Sequence, residues 1–227
     1  MKTFGSQVLS YHFSLNPSIR LPHGIEWLMP YADEETRRCM TSFYHQFYND
    51  RHHRTFILGI NPGRFGAGLT GVPFTDPIRL RQLGIENSFP AKPELSSVFV
   101  YEMIAACGGL QKFYHQYYIT SLSPLGFVKD GKNYNYYDDP QLSKVIRPFI
   151  IRNIETQLKF GADTSRAFCL GQGKNFEYLS KLNDEYQWWE RVIPLPHPRW
   201  IMQYRLKRKE TFIELYKESL EIKNNIS

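Results

Sequence analysis

The sequence predicts an α/β protein, a three-layer α/β/α sandwich built on a central four-stranded, mainly parallel sheet. Four short β-rich runs, Thr55–Ile60, Tyr117–Leu122, Arg166–Leu170 and Arg191–Leu195, are separated by stretches of helical periodicity. The first, second and fourth run into proline-containing loops and the third into glycines, so each has a defined carboxyl end. At 227 residues the chain has the size of one α/β domain with a substantial core. Residues 1–227 therefore read as a single domain, without repeats or a low-complexity linker.

Taken in order, residues 33–48 place Met40, Phe43, Tyr44, Phe47 and Tyr48 at helical spacing after an acidic start, an amphipathic helix before the first strand. Asp76 followed by Pro77 reads as an N-cap with proline at the first helical position. A helix over Ser97–Ala106 ends at Gly108-Gly109. Lys129–Asp139 is polar, aromatic and turn-rich, and reads as an exposed excursion bordering a binding site. Helical periodicity resumes over Gln141–Phe160, with Pro148 placed to break or kink it, and again over Asn175–Leu182. A long amphipathic helix is expected over Ile201–Ile222, basic at its start. The region before residue 30 carries no assignment.

Lys and Arg total 28 against 22 for Asp and Glu, a net charge of +6, which favours an acidic partner without requiring one. The three cysteines are far apart and odd in number, so no disulfide framework is implied. No closely spaced Cys/His set suits zinc or an iron–sulfur cluster; neither metal nor cofactor is expected, and His52-His53 reads as a solvated basic corner. The segment MKTFGSQVLSYHFSLNP lacks the apolar stretch of a signal peptide and nothing approaches a membrane span. A cytoplasmic monomer is the expectation.

The most informative segment is residues 59–74, GINPGRFGAGLTGVPF, directly after the first strand. Glycine, asparagine and proline there force an irregular turn at the strand's carboxyl end, the edge where open α/β sheets bind ligands. Phe65 and Phe74 bring flat apolar faces to it, which suits a planar, polar-edged ligand such as a nucleobase. Asn61 either faces the reacting atom or satisfies turn backbone. Pro196-His197-Pro198 places an imidazole between two rigid residues after the fourth strand. His197 is therefore either a catalytic histidine or one that caps a strand end. The absence of a lysine followed by serine or threonine after the last glycine disfavours a phosphate-binding loop.

These residues resemble the single-strand-selective monofunctional uracil-DNA glycosylases within the wider uracil-DNA glycosylase superfamily. Gly59, Asn61, Pro62, Gly63, Phe65, Gly66, Thr70, Gly71, Val72, Pro73 and Phe74 match that family's first motif. His197-Pro198 matches the start of the second, but Arg199–Tyr204 replaces its small, Asn-rich continuation. Ser123-Pro124-Leu125 matches the stretch after the family's pyrimidine-reading asparagine, whose own position holds Ser121.

The resemblance implies a monofunctional glycosylase of DNA that flips out and hydrolytically excises uracil, with Asn61 and His197 as catalytic pair. It implies Ile60, Gly63, Phe65, Gly71, Phe74 and Ser121 around the base. A serine hydroxyl rotates between donor and acceptor where an asparagine presents both, so tolerance of xanthine or hypoxanthine is expected. Arg64, Arg199, Trp200 and Arg205 are candidate DNA contacts, although Arg64 reads equally as a solvated loop charge and Trp200 as packing under the terminal helix. The alternatives are a catalytically inactive nucleic-acid-binding protein with a retained base pocket, and a hydrolase of free nucleosides.

Overall fold

A computed structural model describes residues 2–220. Its elements in chain order begin with α1 (Phe4–Phe13), β1 (Ile25–Leu28), α2 (Glu34–Phe47), β2 (Arg54–Gly59), α3 (Ala67–Thr70), α4 (Pro77–Gln82), α5 (Leu95–Ala106), α6 (Leu110–Gln116) and β3 (Tyr117–Ser121). They continue with β4 (Gly126–Lys129), β5 (Lys132–Tyr134), α7 (Pro140–Leu158), β6 (Ala162–Leu170), α8 (Lys174–Tyr186), β7 (Val192–Leu195), α9 (Pro198–Tyr204) and α10 (Lys209–Leu220). The expected α/β fold is present. The central sheet runs β3-β2-β6-β7 and every pairing in it is parallel. Pro194 lies on β7, at the edge, where a missing amide donor is tolerated.

Helices cover both faces. On one, Gln157 of α7 bonds the Tyr118 and Thr120 hydroxyls and Asn175 of α8 contacts Cys169. On the other, Tyr117 meets Phe113 of α6 and donates its hydroxyl to the Leu220 carbonyl at the end of α10. At the amino ends of the strands, the buried Arg54 guanidinium bonds the Tyr114 and His52 carbonyls and Asp50, between the rings of Phe4 and Tyr48.

Several elements differ from expectation. The region before residue 30 forms α1, capped by Thr3, and β1. Residues 129–139 are exposed at 130–133 and 138 as expected, but they are not an irregular excursion: β4 and β5 form a hairpin that β1 extends into a three-stranded antiparallel sheet, and Tyr136 is fully buried. Its partner strand lies about a hundred residues away in sequence, invisible to local patterning. Helix α7 runs through Pro148 because that position and Lys144, whose carbonyl loses its bond, both face water. The single terminal helix is instead α9, a 3-10 turn at Leu206–Arg208, and α10. Between Gln203 and Lys209 the only large apolar side chains, Tyr204 and Leu206, are exposed, so nothing holds a continuous buried stripe there. The expected end at Ile222 lies outside the described residues.

Candidate active site

The carboxyl ends of β2, β3 and β7 open on a cavity of about 370 Å³. Its walls bring together Ile60, Asn61, Gly63, Phe74, Ser121, His197, Arg199 and Trp200, drawn from three loops far apart in sequence. The loops are tied at their roots, since the Leu122 and Ser123 amides donate to the Gly59 and Ile60 carbonyls and carry the β2–β3 pairing beyond the strands.

Gly59 lies buried beneath the Phe74 ring and Ser121. A Cβ there would stand 3.3 Å from the Phe74 ring and 3.4 Å from Ser121 Oγ, so the missing side chain is what lets ring and hydroxyl face each other across the strand end. Phe74 itself has a left-handed backbone, φ 53, a conformation that bulky residues rarely adopt. Such strain persists only where surroundings impose it. Here the Thr70 hydroxyl donates to the Thr75 carbonyl and the Val72 amide donates to the Thr70 oxygen, bracketing the turn. Ser121 Oγ has no hydrogen-bond partner among the described residues, while its backbone carbonyl accepts from Asn153 Nδ2.

The β4–β5 hairpin clamps the glycine-rich turn. Asn61 Nδ2 donates to the Tyr134 carbonyl at 3.2 Å and Asn61 Oδ1 accepts from the Tyr136 amide at 3.3 Å. Asn133 Oδ1 accepts from the Arg64 amide at 3.0 Å. This orients the carboxamide and leaves one Oδ1 lone pair available. The hairpin residues Asn133, Asn135 and Tyr137 also line the cavity.

His197 caps α9: its Nδ1 accepts from the Arg199 amide at 3.1 Å. That bond requires Nδ1 unprotonated, so the ring proton sits on Nε2. Burial, then the nearby Arg199 guanidinium, pulls its pKa down to about 4. The imidazole is neutral, with a single N–H to donate.

Not every expected residue reaches this cavity. Phe65 is 37% exposed and lies outside, under the Lys92 ammonium at 3.8 Å and the Arg64 guanidinium at 5.0 Å. Gly71 faces α2 instead, where a Cβ would stand 2.3 Å from Met40 Sδ. Neither Arg64 nor Arg205 lines the cavity: Arg64 lies over the outward Phe65 ring and Arg205 over the Trp200 ring. Trp200 both lines the cavity and packs edge-on against Phe212, leaving it 39% exposed. Asn133, Asn135 and Tyr137 come from the segment expected to border a binding site, whereas sequence reasoning missed the lining residues Glu94, Ser96, Gln203 and Tyr204. Their only available signal was polarity in segments read as loop or surface.

At the opposite end of the sheet, His52 meets His115 with ring centres 4.0 Å apart and planes inclined by 52°, and Asp50 joins them with ligand atoms all within 4.8 Å. Spacing in the sequence does not show this cluster. The Arg54 guanidinium holds the other Asp50 oxygen at 2.8 Å, a cation already paired with the cluster's one carboxylate. Among the described residues no helix is long and apolar enough to cross a membrane.

A family model described as the uracil DNA glycosylase superfamily matches residues 45–221. The crystal structure of wild-type SMUG2 from Pedobacter heparinus is similar at a TM-score of 0.95 and 45% sequence identity, covering 100% of each chain. Altogether 11 solved chains match significantly, whereas no curated protein sequence does.

Proposed function

The chain belongs to the uracil DNA glycosylase superfamily, and from that premise we propose a monofunctional DNA glycosylase that takes uracil, and the deaminated purines xanthine and hypoxanthine, out of DNA. The observation that carries the reading is the meeting of Asn61, Phe74, Ser121 and His197 in one cavity at the strand ends. DNA is the partner, and no metal enters the chemistry proposed.

A flipped base would stack on Phe74 above Gly59, its edge toward Ser121. Bond cleavage leaves an oxocarbenium-like sugar and an anionic base, so the site needs a donor aimed at the base and an oriented water at the sugar. His197 Nε2–H is that donor, and as a neutral group it stabilises the departing anion by hydrogen bonding. The free lone pair of Asn61 Oδ1 holds the water. A carboxamide positions water but does not deprotonate it. Arg199 and Trp200 at the cavity, with Arg205 over the indole and Arg64 beside Phe65, would meet phosphates and the gap left by the extruded nucleotide.

The test is to incubate the protein with end-labelled oligonucleotides holding uracil, xanthine, hypoxanthine or thymine, then cleave abasic sites with alkali. Release of uracil and of at least one deaminated purine, with thymine retained, is the expected result. Asn61→Ala and His197→Ala should each lower single-turnover rates about 10²–10³-fold, the scale of losing one transition-state hydrogen-bonding group. No release of any base at high enzyme concentration overturns the reading. Binding without release would instead support an inactive base-pocket protein.

A further inference from the structure

We propose that Glu94 is a catalytic residue, the proton acceptor for the water that attacks the sugar; this rests on the glycosylase reading above. Glu94 precedes α5 and lines the same cavity as Asn61, Phe74 and His197. Its backbone is pinned, because its amide donates to Asp76 Oδ2 at 3.0 Å. Its side chain does not cap the helix, and its carboxylate has no hydrogen bond or ion pair among the described residues.

Glu94 is half-buried, and its carboxylate reaches the cavity without a partner, whereas a structural role would supply donors. The adjoining loop makes room for it instead. Gly66 lies so close that a Cβ there would stand 2.0 Å from Glu94 Oε2, so the glycine-rich turn that carries Asn61 also admits this oxygen. The charges facing it are Asp76 from the start of α4 and Arg199 from α9, while the neutral His197 shares the cavity. Burial and then Asp76 raise its pKa, Arg199 opposes them, and the result is about 7. An acceptor is most effective when its pKa lies near the working pH.

The step balances. The bond from C1′ to the base nitrogen breaks with its electron pair leaving on the base, and the water oxygen bonds to C1′. The water proton passes to the Glu94 carboxylate, and the departing base anion takes its proton from solvent. Before that transfer, the carboxylate's charge also favours the positive sugar. Asn61 orients and Glu94 accepts, two roles that one carboxamide cannot combine.

The experiment measures single-turnover release of uracil from a single-stranded oligonucleotide between pH 5 and 8.5 for wild type, Glu94→Gln and Glu94→Asp. Affinity for an oligonucleotide holding a 2′-fluoro-arabino uridine, which resists cleavage, is measured alongside, with circular dichroism to monitor folding. Wild type should show a rate that rises with pH through an inflection near 7. Glu94→Gln, of equal size, should lose about 10²-fold or more at pH 8, lose the inflection and bind within threefold of wild type. Glu94→Asp should keep the inflection at a reduced rate.

A Glu94→Gln rate within threefold of wild type, or an inflection that persists in it, overturns the proposal and leaves the glycosylase reading standing. So does a loss confined to binding, which would assign Glu94 to holding Arg199. If Glu94→Gln misfolds, an inflection absent from Glu94→Asp or from wild type overturns it. A wild-type protein that releases no base overturns both.

Discussion

His197 is held as a neutral Nε2–H tautomer by a backbone bond rather than by a carboxylate partner. Its pKa of about 4 keeps its protonation constant across the neutral range. Any inflection in rate near pH 7 therefore belongs to another group. Ser121 is the residue at which specificity is open to change. Its hydroxyl has no protein partner among the described residues and turns to suit whichever base edge is offered. In the oligonucleotide assay, Ser121→Asn is expected to raise kcat/KM for uracil relative to hypoxanthine by about tenfold or more, since a fixed donor and acceptor pair penalises a mismatched edge. An unchanged ratio would remove Ser121 from base reading. Phe74 shows how far a residue's role depends on context: its type marks it as a stacking candidate, whereas its strained backbone and its place over Gly59 come from the turn that contains it.

Among the elements, β3 owes the position of its last residue to α7. Asn153 Nδ2 donates to the Ser121 and Leu122 carbonyls at 3.1 and 2.8 Å, while Asn153 Oδ1 accepts from Gln157 Nε2 and the Tyr11 hydroxyl. Gln157 in turn accepts from the Tyr118 and Thr120 hydroxyls. This buried network joins α1, α7 and β3, and each member is satisfied by the others. Asn153→Leu strands two carbonyls, an amide and a hydroxyl. It should cost about 2–4 kcal/mol, the scale of a few unsatisfied buried groups, and weaken base release beyond the loss of folded protein. Urea denaturation followed by rate measurement on the folded fraction checks both. The β4–β5 hairpin does the same service for Asn61, which is why residues 129–139 matter more than their loop-like composition suggests.

For the whole molecule, stability against pH combines groups of opposite sign. His12 is fully buried beneath Tyr31, bonded through Nδ1 to the Val8 carbonyl, and burial lowers its pKa from 6.5 to about 4. Above pH 6.5 it is neutral whether folded or unfolded. As pH falls from 6.5 to 4 the unfolded chain binds a proton that the folded chain refuses, so stability declines by on the order of 2 kcal/mol at pH 5. Glu94, raised to about 7, acts oppositely: its folded form keeps its proton between pH 4.5 and 7, so stability is lost as pH rises through that window. The difference between wild type and His12→Leu in urea midpoint at pH 7.5 and pH 5 therefore isolates the histidine. The variant should lose less on acidification, and equal losses would contradict a buried neutral His12.

Local chemistry was enough for the parallel sheet, most helices and the first-motif turn. Alternating β-rich runs, helical periodicity, the Asp76-Pro77 cap and the glycines after strands are legible over a few residues. So were Asn61 and His197, just past strand ends, and Phe74, which closes that turn, whereas Ser121 came from the family resemblance; the four meet once the strands lie parallel in one sheet. Tertiary structure alone decided the second sheet, because β1 and β4 pair across about a hundred residues. It alone turned Phe65 outward and Gly71 toward α2, since which side of an irregular turn faces the cleft depends on what packs behind it. The clamp on Asn61 and the unpartnered carboxylate of Glu94 follow from the same cause. Each is set by hydrogen bonds and burial among segments distant in sequence, and those forces exist only once the chain has closed around them.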